Sequence, residues 1–524
     1  MQTFETILVL LVVAVGLAAL ARRWNAPYPA LLAGLGVVLA LVPGVPEIRL
    51  DPQLALALFV APVLLDAAFD TSPRDLRHHW IPITGLVVAA VGVTTATVAW
   101  AVKTMVPDLP WAAAIALGAI VAPPDAAAAT AVLKQAKLPH RLKQILEGES
   151  LFNDATALLV YRVAVAAAMG HGVSPLVAVP TLLAVVAGSI ATGLAAAWLF
   201  SRLNRRVEDV PTSIVLQFAG TFGLWIAAER LGLSGILTVV AYAIAIARYA
   251  GYHTPARIRV PSYAVWETTV FVLNVLAFVL IGLQVGPIVG GLSPEDRRAY
   301  AAVAGVVLAV VVVTRFAWVG VYYVAVRWKV ERFGSDGSLA EANARGGVVL
   351  SWCGMRGIVT LAAAIALPGG DAPFPGRALI LVTAFTVVVG TLMIQGLTLG
   401  PLLRRLDLHD DGPVDREVEE ASRSALRVGV ATLDGDDSDA ARALRFELQE
   451  LLLDGDGDGD GSGDPGERRP QLPALRQRAV QAARAELARL RADETIGDDA
   501  YHRVELVLDR TELYAETGRP PTAA

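Results

Sequence analysis

Apolar runs long enough to cross a lipid bilayer as helices alternate with short polar segments as far as Arg405, where the pattern changes. The runs lie at about 4–21, 28–43, 53–69, 81–102, 111–133, 145–169, 174–200, 211–229, 231–248, 263–285, 299–326, 346–368 and 377–402. They predict an all-α membrane body of about thirteen helices, the second of them short. Segments near 415–427, 438–453, 473–492 and 499–516 have helical periodicity with polar faces, which predicts a soluble helical tail. The expected division is a transmembrane domain at 1–406 and a cytoplasmic tail at 407–524, with a Gly/Asp linker at 454–467.

Polar positions inside the runs are the informative exceptions. In the fifth, Ala122-Pro123-Pro124-Asp125 breaks the helix, because proline removes amide donors and clashes with the preceding turn. In the twelfth, Gly354-Met355-Arg356-Gly357 interrupts the run with glycine and an arginine. The two broken spans are seven apart, so they cross in opposite directions, as in two inverted six-helix repeats joined by a linker helix. A single Pro or Gly often only kinks a membrane helix, but paired breaks mark the midplane site of secondary transporters. The sixth run contains Gly148-Glu149-Ser150-Leu151-Phe152-Asn153-Asp154. An ionisable carboxylate at that depth costs several kcal/mol unless it is paired, hydrated or bound to a cation.

Composition agrees: 55% of residues are hydrophobic, 18% are charged, and mean hydropathy is +0.54. The tail from Asp407 holds about 28 Asp/Glu against 15 Lys/Arg, which leaves the body at about +8 within a whole-chain charge of −5. Alternate loops carry about 20 basic residues on one side, including Arg22, Lys143 and Arg404, and about 6 on the other. That bias puts the N-terminus outside and the tail in the cytoplasm of a plasma-membrane protein. The first run lacks a positively charged leader and reads as a retained helix. Cys353 is the single cysteine, so no internal disulfide can form. The seven histidines all fall in loops or the tail, which excludes a His–Cys metal centre in the membrane.

Four segments together resemble a known family: the Pro-Pro-Asp125-Ala break, Gly148–Asp154, Phe278-Val-Leu-Ile-Gly-Leu-Gln284 and Gly354–Gly357. Residues of about 4–402 are similar to the monovalent cation:proton antiporters of family 1, the NhaP/NHE-type sodium/proton exchangers, in the bacterial form with a long hydrophilic tail. The resemblance implies a core bundle, a dimerisation bundle and a homodimer in membrane lipid. It implies that Asp154 is the main cation- and proton-binding carboxylate, with Asp125, Asn153, Ser150 and Glu149 around it. It also implies that Glu149 pairs with an arginine of the eleventh helix, best matched by Arg315; Arg356 is the second candidate. One departure is visible, since Pro124 stands where many members have a threonine and can offer only its carbonyl.

Helix geometry gives these residues a use. Glu149 and Asn153 share one face, and Ser150 and Asp154 form the adjacent row. With Asp125 they supply carboxylate, amide and hydroxyl oxygens, which a hard cation such as Na⁺, Li⁺ or K⁺ needs in place of water. Burial disfavours the ionised Asp154 and a bound Na⁺ favours it, so proton and cation compete for one group. The loaded site can cross, and the empty anion cannot cross cheaply. Asn153 cannot carry a second proton where relatives of a neighbouring family have an aspartate, so the resemblance implies electroneutral one-for-one exchange in the service of pH and sodium homeostasis.

Other residues weigh less. Asp66 and Asp70 close the third span, where carboxylates hydrate easily; Glu229, Arg230, Glu267 and Arg248 lie at helix boundaries; Gln284 reads equally well as a helix–helix contact. Asp454-Gly-Asp-Gly-Asp-Gly imitates a calcium loop, but Pro465 occupies the twelfth position where a bidentate Glu is required. A solute symporter would need a roomier, aromatic pocket. A serine enzyme would need a Gly-x-Ser-x-Gly elbow and a histidine in the membrane, and Ser150 has neither. No enzyme activity, cofactor or nucleic-acid partner is expected; the tail's partner is left open.

Overall fold

The computed structural model describes residues 2–24, 26–42, 51–125, 128–129, 138–170, 175–207, 209–333, 344–369, 373–406, 408, 412–453 and 472–517. Every regular element among them is helical. The body comprises α1 (Gln2–Arg23), α2 (Tyr28–Ala40), α3 (Pro52–Phe69), α4 (Trp80–Met105), α5 (Trp111–Val121), α6 (His140–Ala168), α7 (Pro175–Asn204), α8 (Val210–Arg230), α9 (Gly235–His253), α10 (Ala256–Leu283) and α11 (Pro294–Phe333). It is completed by α12 (Ala344–Trp352), α13 (Ile358–Ile365) and α14 (Arg377–Leu406).

Eight described helices are long and apolar enough to cross a membrane, and three more are apolar but shorter: Tyr28–Ala40, Trp111–Val121 and Gly235–Arg248. Helix starts follow local chemistry. Asp51 and Asp209 accept N–H bonds from Leu54 and Thr212 at 2.8 and 2.9 Å, and proline occupies the first turn of both helices. Exposed tryptophans sit near helix ends, among them Trp24, Trp80, Trp111, Trp198 and Trp328, as expected of side chains that prefer the membrane–water boundary.

The helices pack in two groups. In one, α4, α5, α6, α11, α12, α13 and α14 lie mainly against each other; in the other, α1, α2, α3, α7, α8, α9 and α10 do. The Phe278–Gln284 segment serves the second group. Gly282 on α10 and Gly36 on α2 face each other so closely that a Cβ on either would strike the opposite backbone, and Tyr28 packs edge-on against Phe271 and Phe278. Gln284, at the end of α10, is buried and its amide donates to the Leu280 carbonyl at 3.2 Å.

The fifth span is broken where its prolines stand: α5 ends at Val121, residues 122–125 are non-helical, and helix is described again at 128–129. The twelfth is broken over 353–357, between α12 and α13, one residue earlier than the glycine pattern suggests. Four further helices form the tail: α15 (Pro413–Ala431), α16 (Asp439–Leu453), α17 (Leu472–Ala492) and α18 (Asp498–Thr517). They bury their own apolar seams, with Ala425, Leu487 and Val504 in one and Leu426, Leu444 and Leu448 in the other. The Gly/Asp linker and its calcium-like loop lie outside the described residues.

Candidate functional site

The two breaks meet. The Asp125 amide donates to the Met355 carbonyl at 2.6 Å, so each non-helical stretch satisfies part of the other. Arg356, 1% exposed, braces the junction. Its Nε donates to the Val121 carbonyl at 3.0 Å and its Nη2 to the Ala122 carbonyl at 3.1 Å, capping α5 where the helix leaves carbonyls unpaired. Its Nη1 reaches the Gly354 carbonyl, and its own amide donates to Thr391 Oγ1 on α14 at 3.0 Å. Arg356 thus spends its donors on backbone oxygens and on no carboxylate, which corrects its candidacy as the partner of Glu149.

Both glycines of the twelfth-span motif are explained by what passes over them. A side chain at Gly357 would occupy the place of the Asp125 carboxylate, and one at Gly354 would meet the aliphatic stem of Arg315. Pro123 and Pro124 are buried beside them. Glycine at these positions lets two functional side chains lie directly on the backbone.

Helix α6 crosses this junction. Glu149 is 2% exposed and both of its oxygens are taken by Arg315 of α11, at 2.6 Å from Nη1 and 2.8 Å from Nη2. Arg315 Nε donates to the Leu350 carbonyl at 3.0 Å, so the fork is fixed at three points. Each Glu149 oxygen thus accepts one guanidinium N–H.

One turn on, Asn153 is fully buried. Its Nδ2 donates to the Pro124 carbonyl at 2.9 Å, and its Oδ1 receives no hydrogen bond. The carbonyl that remained to the proline in place of threonine is therefore already in use. Next to it lies Asp154, 8% exposed, with Asp125 as its charged neighbour. Ser150 is half-buried on the same row as Asp154. The arrangement gathers two carboxylates and an unpaired amide oxygen, all oxygen donors suited to a hard monovalent cation. Among the described residues no cluster of His, Cys, Asp and Glu has the makings of a resident metal site.

Some contacts were not legible in the sequence. Glu229 and Arg162 join α8 to α6 with Nη2–Oε2 at 2.8 Å, linking the two helix groups. Arg162 lies six turns along α6 from His140, near the other end of the helix, and nothing in its apolar surroundings marks it except the charge itself. Thr391 was equally silent, since a threonine inside a membrane helix usually bonds to its own backbone; this one does so and also accepts from Arg356.

Comparison with known proteins bears on the family and the fold. The chain is 30% identical to a sodium, potassium, lithium and rubidium/H⁺ antiporter of Bacillus pumilus over 78% of its own length, although it spans only 62% of that relative. It is 30% identical to the low-affinity Na⁺/H⁺ antiporter NhaS1 of Synechocystis, covering 83% of this chain and 81% of the other. Its fold is similar to that of the sodium proton antiporter MjNhaP1 of Methanocaldococcus jannaschii at a TM-score of 0.58, with 17% identity over 76% of this chain and all of the other. A family model described as sodium/hydrogen exchanger, transmembrane, matches residues 7–405, and the chain, a multi-pass membrane protein, belongs to that family.

Proposed function

We propose that this protein exchanges a monovalent cation, Na⁺ first among Li⁺ and K⁺, for H⁺ across the plasma membrane by alternating access. Asp154 carries either ion, Asp125 and the Asn153 amide oxygen complete the cation's shell, and Ser150 is within the same row. Glu149 and Arg315 are the fixed pair that keeps the helix α6 charge balanced in low dielectric. The single observation that supports this most is the buried Asn153 Oδ1, without a donor, beside a carboxylate whose neighbour is a second carboxylate. A buried amide oxygen without a donor, beside a buried carboxylate, favours the entry of a cation or proton.

Coupling follows from charge. With H⁺ or Na⁺ bound, Asp154 presents the same net charge to the membrane; empty, it is an anion that cannot cross. Only loaded sites change sides, and one cation moves against one proton. Thirteen spans in two inverted repeats supply the two broken helices, the group containing α4–α6 and α11–α14 moves, and the group around α10 forms the dimer. The loop charges set the N-terminus outside and the tail in the cytoplasm.

The experiment is dequenching of a pH-sensitive dye in proteoliposomes on adding Na⁺, Li⁺ or K⁺ in turn, with a potential-sensitive dye in parallel. Exchange predicts cation-dependent dequenching with a silent potential dye. A potential that develops with turnover contradicts the one-for-one ratio, and dequenching that requires an organic solute contradicts the exchange.

A further inference from the structure

The contacts of α18 with the membrane body go beyond surface docking. Arg259 at the start of α10, 4% exposed, donates through Nε to Asp509 Oδ2 at 2.9 Å and lies 3.0 Å from Glu505 Oε1 through Nη1. Glu505 and Asp509 are themselves 3% and 1% exposed, and Arg484 of α17 adds a second guanidinium to Asp509 at 2.6 Å. The ring of His502 stacks on Phe69 at the end of α3, and Arg491 of α17 donates to the Ala247 carbonyl of α9. All these membrane partners belong to the α10 group.

The first turn of α18 holds the other group. Asp499 lies 3.0 Å from His140 Nε2 and 3.1 Å from Lys143 Nζ, both on the opening turn of α6. The tail also continues directly from α14 of that same group. One helix therefore contacts both α6 and α10, a member of each group. A buried ion cluster adds little net stability over apolar packing, yet it strongly resists losing one partner. That is the behaviour of a latch more than of a glue.

We propose that α18 is a strap across the two helix groups, which fixes their relative position while docked and must let go of Arg259 for exchange at full rate. This rests on the alternating-access reading above, because only then do the groups need to move. The strap acts on turnover and leaves the cation site alone, since among the described residues its contacts with the body fall on Arg259, His140, Lys143 and Phe69 and not on Asp154 or Asn153.

The test uses the full chain in proteoliposomes with spin labels at the exposed positions Arg257 and Arg510. Two variants release the latch from opposite sides: Arg259→Gln in the body, and Glu505→Gln with Asp509→Asn in the tail. Both are expected to lengthen and broaden the label distance. Na⁺-driven proton exchange is expected to rise about fivefold or more, the low end of ordinary conformational coupling, at an unchanged half-saturating Na⁺ concentration. Labels that separate with turnover unaltered, or labels that stay together in both variants, overturn the strap. Intact protein that exchanges no protons for Na⁺ overturns the exchange reading itself, and the strap with it.

Discussion

Glu149 and Asp154 share one helix, both nearly without solvent contact, and the fold treats them in opposite ways. Glu149 has a bidentate arginine for life; Asp154 has a carboxylate for a neighbour. Arg315→Gln would strand a buried anion, which typically costs about 3–5 kcal/mol. We expect that variant to melt well below the intact protein in detergent. Glu149→Gln combined with Arg315→Gln should recover part of the loss, because neutral partners can share a hydrogen bond. Asp154→Asn should do the reverse, leaving the melting temperature at or above that of the intact protein while exchange falls to the liposome background. A stability loss in Asp154→Asn equal to that in Arg315→Gln would mean the two carboxylates do the same job. The motif was readable because an uncompensated acid in an apolar run has few explanations. The partner was legible only through the family resemblance, which put Arg315 ahead of Arg356; the structure pairs Arg315 with Glu149 and sets Arg356 against the carbonyls of Val121 and Ala122.

At the scale of elements, two broken helices support one another through Arg356 and the Asp125 amide. Replacing Arg356 by Gln removes the charge that caps α5 and leaves carbonyls of Val121 and Ala122 unpaired, at roughly 1–3 kcal/mol for each buried group. Turnover should fall more steeply than thermal stability, since the cap positions Asp125. Lysine at that position should rescue stability better than turnover, because one ammonium cannot reproduce the fork. Gly357→Ala is expected to abolish exchange, as the added methyl takes the space of the Asp125 carboxylate. Gly282→Ala, far from the site, should instead force α2 away from α10, with an overpacking cost of about 1–3 kcal/mol and a lower melting temperature. The breaks themselves were visible as Pro-Pro and Gly-x-x-Gly. Their extents were not, because a helix end depends on where the carbonyls find partners. That is why the twelfth break opens at Cys353 and the fifth helix stops at Val121.

For the whole molecule, hydropathy fixed the membrane body and periodicity fixed the tail, but neither could bring the two together. Asp499, Glu505 and Asp509 read as ordinary acidic residues of a solvated helix until Arg259, His140 and Lys143 are set against them. Burial alone would raise the Asp499 carboxyl, but the hydrogen bond from His140 and the Lys143 charge outweigh it and hold the group well below the usual carboxylate range. A depressed carboxyl contributes to docking above its free-chain value and loses that contribution only as pH falls through the depressed one. Spin-label distances between the tail and the start of α6 should therefore be unchanged as pH falls to about 4, the ordinary aspartate range. Tail release at mildly acid pH would contradict this. The central claim is competition of H⁺ and Na⁺ for Asp154, and the most direct measurement is the half-saturating Na⁺ concentration for exchange in proteoliposomes across a pH series. Simple competition predicts that on the acid limb the value rises about tenfold per pH unit, equivalent to 1.4 kcal/mol. A half-saturating concentration that stays constant while the rate falls would mean that proton and cation bind at separate groups.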